Sequence, residues 1–224
     1  MTGFGPSPRR EADPSAAVLA ALQESPTEGA TVRTQLVPQE PEGALLKAIE
    51  AMDRLLPDAV IGLGRADDGA GLSVERVALN FYDQDRSRRV LRGSPIDAAG
   101  PAAYFSTLPV HLMVERMRSG GVPAQISNSA GTFLCNRLFY ALLHYVALRG
   151  QETWFGRRPP AGLMSRIGFI RLPASSGAIS ARGAARSVDQ AQAALRGVHL
   201  AIESVVDFLA TIEVQVAETP PAGD

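Results

Sequence analysis

The chain has 224 residues, 46% of them hydrophobic and 20% charged, with a formal net charge of −1 at pH 7. That is the composition of a globular protein with a full core, and it gives no basic footprint for nucleic acid. No apolar run reaches the roughly 18 residues of a membrane span, and the N-terminus lacks the charged-then-apolar order of a signal peptide.

In chain order, Pro14 to Gln23 reads as a first short helix and Thr31 to Leu36 as a strand. Glu42 to Leu55 places Leu45, Leu46, Ile49, Met52 and Leu55 at helical spacing. Ala59 to Leu63 is a short buried strand closed by glycine, and Leu72 to Asn80 a second extended segment. Tyr104 to Ser119 reads as a helix ended by Gly120 and Gly121. After the segment around the cysteine comes a helix running to about Gly150, then a strand from Arg166 to Leu172. Ser187-Val188-Asp189-Gln190 has capping-box form and opens a C-terminal helix to about Val216. The stretches Gln151 to Leu163 and Pro173 to Arg186 read as loops, and residues 217–224 as a disordered tail. Strands alternating with helices argue for one α/β domain over residues 1–216, a three-layer α/β/α sandwich on a mainly parallel mixed sheet.

Val122 to Asn136 carries the only cysteine. Val122, Ala124 and Ile126 alternate as in a half-buried strand, and Ser127-Asn128-Ser129-Ala130-Gly131 is turn-prone. From Thr132 the apolar residues Phe133, Leu134, Leu138, Tyr140, Ala141, Leu142 and Tyr145 recur at helical spacing. Cys135 therefore falls in or near the first turn of a helix, where unpaired amides and the helix dipole favour a thiolate and can bind an oxyanion. Strand, turn and helix-borne nucleophile form an elbow suited to acyl transfer. The plainer alternative is an ordinary buried cysteine. No second cysteine is present for a disulfide, which suits a reducing cytoplasm. His111, His144 and His199 are scattered, so neither metal nor cofactor is expected.

The segment Ser127-Asn128-Ser129-Ala130-Gly131-Thr132-Phe133-Leu134-Cys135-Asn136 resembles the cysteine signature of the pyroglutamyl peptidase I, or pyrrolidone-carboxylate peptidase, family. Further matches are Thr2-Gly3-Phe4-Gly5-Pro6, Glu75 to Asn80, Gly100 to Pro109 and Ile167 to Ile170. The resemblance implies an α/β sandwich and an omega-peptidase that releases N-terminal pyroglutamate through Cys, His and Glu. It also implies a homo-oligomer, commonly a tetramer. Cys135 takes the nucleophile position and Glu75 the acidic one; without the resemblance, Glu75 reads as a surface glutamate on an edge strand.

The third position departs. Gly168-Phe169-Ile170-Arg171-Leu172-Pro173 has arginine where the family has its histidine. A guanidinium, with a pKa of about 12 or more, neither takes nor gives a proton near neutral pH, yet it can pair with Glu75 and favour a thiolate. His144 lies nine residues past Cys135 on the same helix, roughly 13 Å along its axis and on about the opposite face. His111, His144 and His199 all read as packing or surface residues rather than replacement bases. Phe4 and Phe133 are expected to contact substrate, and Ser7 stands where the family has the second ring of an aromatic pair. Gly62-Leu63-Gly64-Arg65-Ala66 is shorter than the family's glycine segment, and Asp85 replaces an expected arginine, with Arg86 one place on. Met1 directly precedes Thr2, so either the start is mis-assigned or the first strand is short. Three readings stay open: a pyroglutamyl peptidase of weak turnover, a binding or scaffold protein, and a hydrolase of esters or thioesters.

Overall fold

Alternating strands and helices assemble around one six-stranded sheet. The computed structural model describes residues 1–6, 13–66, 71–83, 93–151, 165–174 and 181–218. Ser7, Asp85, Arg86, the 152–164 stretch and residues 219–224 lie outside them. The elements are β1 (Thr2–Phe4), α1 (Ser15–Glu24), β2 (Gln35–Val37), α2 (Pro41–Leu55), β3 (Ala59–Ala66), β4 (Leu72–Glu75) and β5 (Val77–Leu79). They continue with β6 (Tyr82–Asp83), β7 (Gly93–Ser94), β8 (Ala103–Phe105), α3 (Val110–Ser119), β9 (Ala124–Ser127), α4 (Leu134–Gln151), β10 (Arg166–Pro173) and α5 (Ala181–Glu218).

The main sheet has the order β2-β1-β3-β10-β4-β9. The first four strands run parallel, β10 and β4 pair antiparallel, and β4 and β9 pair parallel. β10 sits in the middle, and its run Ile167, Phe169, Ile170, Leu172 is fully buried, as expected of a strand covered on both faces. Alternation divides it: Ile170 and Leu172 join α1, α3 and α5 in one core, while Ile167 and Phe169 join α2 and α4 in another. The mixed, mainly parallel sheet between two helical layers is the expected α/β sandwich.

Several boundaries differ from the sequence reading. Tyr104 is not helical: β8 pairs antiparallel with β5, and α3 begins only after Pro109. Pro109 disfavours helical geometry at Leu108, and Ser106 N–H donates to the Arg76 carbonyl instead. The expected Leu72 to Asn80 segment breaks at Arg76, where the chain leaves the main sheet to make β5. β3 does not stop at Leu63 but runs on through Gly64 to Ala66. α5 starts at Ala181 rather than Ser187 and runs to Glu218, so 181–186 are not loop and 217–218 not tail; alanine and arginine there favour helix. α2 turns its alanines inward: Ala44, Ala48, Ala51 and Met52 are buried, whereas Leu46 is 61% exposed.

Candidate functional site

β9 delivers the chain to the elbow. Ala124 and Ile126 pack in the α1/α3/α5 core, so Gln125 and Ser127 face the α2/α4 side. Beyond the strand, the Ser127 hydroxyl accepts from Ser129 N–H at 3.3 Å and the Ser129 hydroxyl from Gly131 N–H at 3.2 Å. Gly131 adopts φ 79°, a left-handed conformation suited to glycine. α4 then opens at Leu134, so Cys135 is its second residue, half-buried in the turn whose N–H groups lack intrahelical carbonyl partners.

The cysteine sulfur rests on glycine backbone. A Cβ added at Gly64 of β3 would fall 2.6 Å from Cys135 Sγ, and one at Gly62 would fall 2.3 Å from the Phe169 ring. Two strand glycines thus admit the Cys135 sulfur and an aromatic ring against the sheet.

The neighbouring strands bring two charges to the same face. Arg171 follows Ile167 and Phe169 in the alternation, and its register neighbours are Gly64 on β3 and Ser73 on β4. Glu75, diagonal to it on β4, is fully buried. Arg171 Nε donates to Glu75 Oε1 at 2.6 Å, and the arginine side chain is 13% exposed. Arg171 Nη2 donates to the Ser129 carbonyl at 3.1 Å and to Ser127 Oγ at 3.5 Å, tying β10 to the elbow. Burial pushes the Glu75 carboxyl above its ordinary range, and the hydrogen bond and charge of Arg171 offset part of that rise.

Glu75, Arg171 and Cys135 therefore share one face of three adjacent strands, with the arginine in the middle. The guanidinium is a permanent cation on β10, the strand next to the β3 glycine on which the Cys135 sulfur rests, and it cannot relay a proton. The histidines lie elsewhere. His144 Nδ1 meets the Tyr104 hydroxyl at 2.8 Å and its Nε2 lies 3.4 Å from Asp97. His199 Nδ1 meets Thr27 Oγ1 at 2.7 Å on α5, and His111 is exposed on α3. Phe4 does not line an opening: it is 1% exposed in the α2/α4 core. Phe133 is half-buried and stacks on Tyr82, centroids 5.7 Å apart and planes 15° off parallel. Ser7 lies outside the described residues. A groove of about 470 Å³ between β2 and α2, flanked by Leu36 and Leu46, contains none of these residues.

The sequence reading missed the residues that hold the site in place. Asn136 is fully buried; its Oδ1 accepts from Leu79 N–H at 2.8 Å, and its Nδ2 donates to the Leu79 and Phe81 carbonyls at 2.9 and 2.8 Å. Asn80 accepts from Ile96 and Asp97 N–H at 2.8 and 3.0 Å and fastens that loop. The signal available was a pair of asparagines beside apolar elements, which local pattern cannot tell from turn residues. Among the described residues, no group of three or more His, Cys, Asp or Glu side chains is placed to hold a metal, and no helix is long and apolar enough to cross a membrane.

A sequence profile of pyroglutamyl peptidase matches residues 1–208. Pyrrolidone-carboxylate peptidase 1 of Ralstonia nicotianae is 38% identical over 180 residues, 77% of this chain and 76% of that protein. The pyrrolidone-carboxylate peptidase of Mycobacterium tuberculosis is 38% identical over 179 residues, 77% of this chain and 75% of its own. Among solved structures, the pyrrolidone carboxyl peptidase of Thermococcus litoralis superposes with a TM-score of 0.74 at 25% identity, covering 94% of this chain and 93% of that one. Pyroglutamyl peptidase I of Bacillus amyloliquefaciens gives 0.72 at 27% identity, covering 92% and 95%. The chain belongs to the pyroglutamyl peptidase family.

Proposed function

We propose, from that membership and from the site, that the chain is a cysteine peptidase of pyroglutamyl type whose amide turnover is weak. Cys135 is the nucleophile, and Glu75 and Arg171 form a fixed ion pair beside it. The observation that carries the reading is the placement of Cys135 in the first turn of α4, its sulfur against Gly64 and next to the strand of Arg171. Sγ attacks the carbonyl carbon of the pyroglutamyl group, and the first-turn amides of α4 receive the developing oxyanion. Collapse of that intermediate expels the amine, which needs a proton. Arg171 supplies none, and its Nε is committed to Glu75. Loss of general acid–base help slows such a step by about 100- to 10,000-fold.

A second reading is favoured by the same ion pair: the alkoxide of an ester or the thiolate of a thioester is a better leaving group than an amine anion and needs less protonation, so hydrolysis of activated acyl groups survives where amide hydrolysis does not. In either case the thiol works in a reducing compartment such as the cytoplasm.

The test is release of a chromogenic amine from a pyroglutamyl amide by wild type, Cys135→Ala and Arg171→His. The reading expects slow release that disappears in Cys135→Ala and rises strongly in Arg171→His. No release from any of the three, with Cys135 still alkylated rapidly at neutral pH, would replace the peptidase by a binding protein.

A further inference from the structure

We propose that Tyr82 is a positioning residue for acyl-group recognition: it acts through Phe133, holding that ring as a flat platform beside Cys135. The proposal rests on the pyroglutamyl reading, because a planar lactam is the group such a platform fits. Phe133 lies two residues before Cys135, at the junction of the elbow and α4. Tyr82 covers one face of it in a near-parallel stack, with centroids 5.7 Å apart and an angle of 15°. Such ring pairs are held by dispersion and quadrupole alignment as well as by burial, so each restricts the tilt of the other.

The segment carrying Tyr82 is itself fastened to the start of α4. The Asn136 side chain makes its three hydrogen bonds to Leu79 and Phe81, on the chain just before Tyr82. On the other side, Asp83 N–H donates to the Thr132 carbonyl at 2.7 Å. Tyr82 is therefore held from both sides by residues flanking Phe133 and Cys135, and it is 7% exposed. The Arg137 guanidinium also lies on the Tyr82 ring, its Cζ 4.6 Å from the centroid, and pairs with Glu42 at 2.7 Å. A cation on the ring adds attraction that a plain hydrophobic contact lacks. Phe133, Tyr82 and Arg137 form one assembly at the junction of β6 and α4.

The experiment titrates pyroglutamic acid into the full chain by calorimetry and, in parallel, measures the rate of Cys135 alkylation by iodoacetamide. Tyr82→Leu removes the stack, Tyr82→Phe keeps it, and Arg137→Met removes the cation from a partly exposed site that tolerates change. The proposal expects Tyr82→Leu to bind about 3- to 10-fold more weakly than wild type, the range a lost ring pair gives. Tyr82→Phe should stay within about twofold, and Arg137→Met should lose about two- to threefold. Alkylation should stay within about twofold of wild type in all three, a split that general loosening of α4 would not give. Equal affinity in wild type, Tyr82→Leu and Arg137→Met overturns the positioning role. Affinity and alkylation falling together overturns it as well, because Tyr82 would then be a packing residue only. A wild type that does not bind pyroglutamic acid overturns the acyl-group reading itself, and this proposal with it.

Discussion

The two faces of the main sheet are built on different principles. Toward α1, α3 and α5 the strands present Ile61, Leu63, Leu72, Val74, Ile170 and Leu172, an aliphatic layer. Toward α2 and α4 the same strands present Gly62, Gly64, Phe169, Arg171, Ser73 and Glu75. One face maximises burial, while the other gives up aliphatic volume for two glycines, a ring and a buried ion pair. The contrast teaches that a strand can carry stability and chemistry at once, provided alternation keeps them apart.

The comparison breaks most sharply at Arg171. Arg171→Met leaves the buried Glu75 carboxylate without its counter-charge and is expected to cost about 3–5 kcal/mol at neutral pH, read by urea unfolding. Replacing both partners, Glu75→Leu with Arg171→Met, should recover most of that loss. If the single change is neutral, the pair is not the buried unit described here. Gly64→Ala is expected to cost about 1–3 kcal/mol through overpacking. Because the new methyl displaces Sγ, it should also lower Cys135-dependent turnover by about 100-fold. On the opposite face, Ile170→Val should cost only about 0.5–1.5 kcal/mol and leave the rate of Cys135 alkylation unchanged.

The smallest expected effect is a pH slope. Glu75 titrates higher in the fold than its ordinary 4.5, because burial penalises the charged form more than Arg171 favours it. The folded state therefore keeps the proton longer, so the stability owed to this group is complete below about pH 4.5 and declines as pH rises through the folded value. Unfolding free energies measured from pH 4.5 upward should show that decline in wild type. They should show it steepened in Arg171→Met and removed in Glu75→Gln.

The elbow was legible because its signals are local: alternation at Val122, Ala124 and Ile126, small residues before Gly131, then helical spacing from Phe133. The α/β class followed from the same kind of periodicity. Glu75 was legible only through resemblance, since a lone glutamate in a strand normally reads as surface, yet here it is fully buried against Arg171. The pairing itself was anticipated from charge. What local pattern could not supply was tertiary: Tyr104 pairs with a strand formed far earlier, Asn136 satisfies backbone at Leu79 and Phe81 where β5 ends, and Gly64 is small because a sulfur approaches it. The inward turn of α2 was misread because leucines at helical spacing looked like its core, and close packing selected the alanines.

The central claim is that Cys135 remains a competent nucleophile while Arg171 withholds the proton an amine needs. The most direct test is the ratio of kcat/KM for a pyroglutamyl ester to that for the matching amide, in wild type and in Arg171→His. The account predicts a large ratio in wild type that collapses by about 100-fold or more in Arg171→His, through faster amide cleavage and not slower ester cleavage. A ratio unchanged by the substitution would contradict it, because proton supply at position 171 would then not be what limits the chemistry.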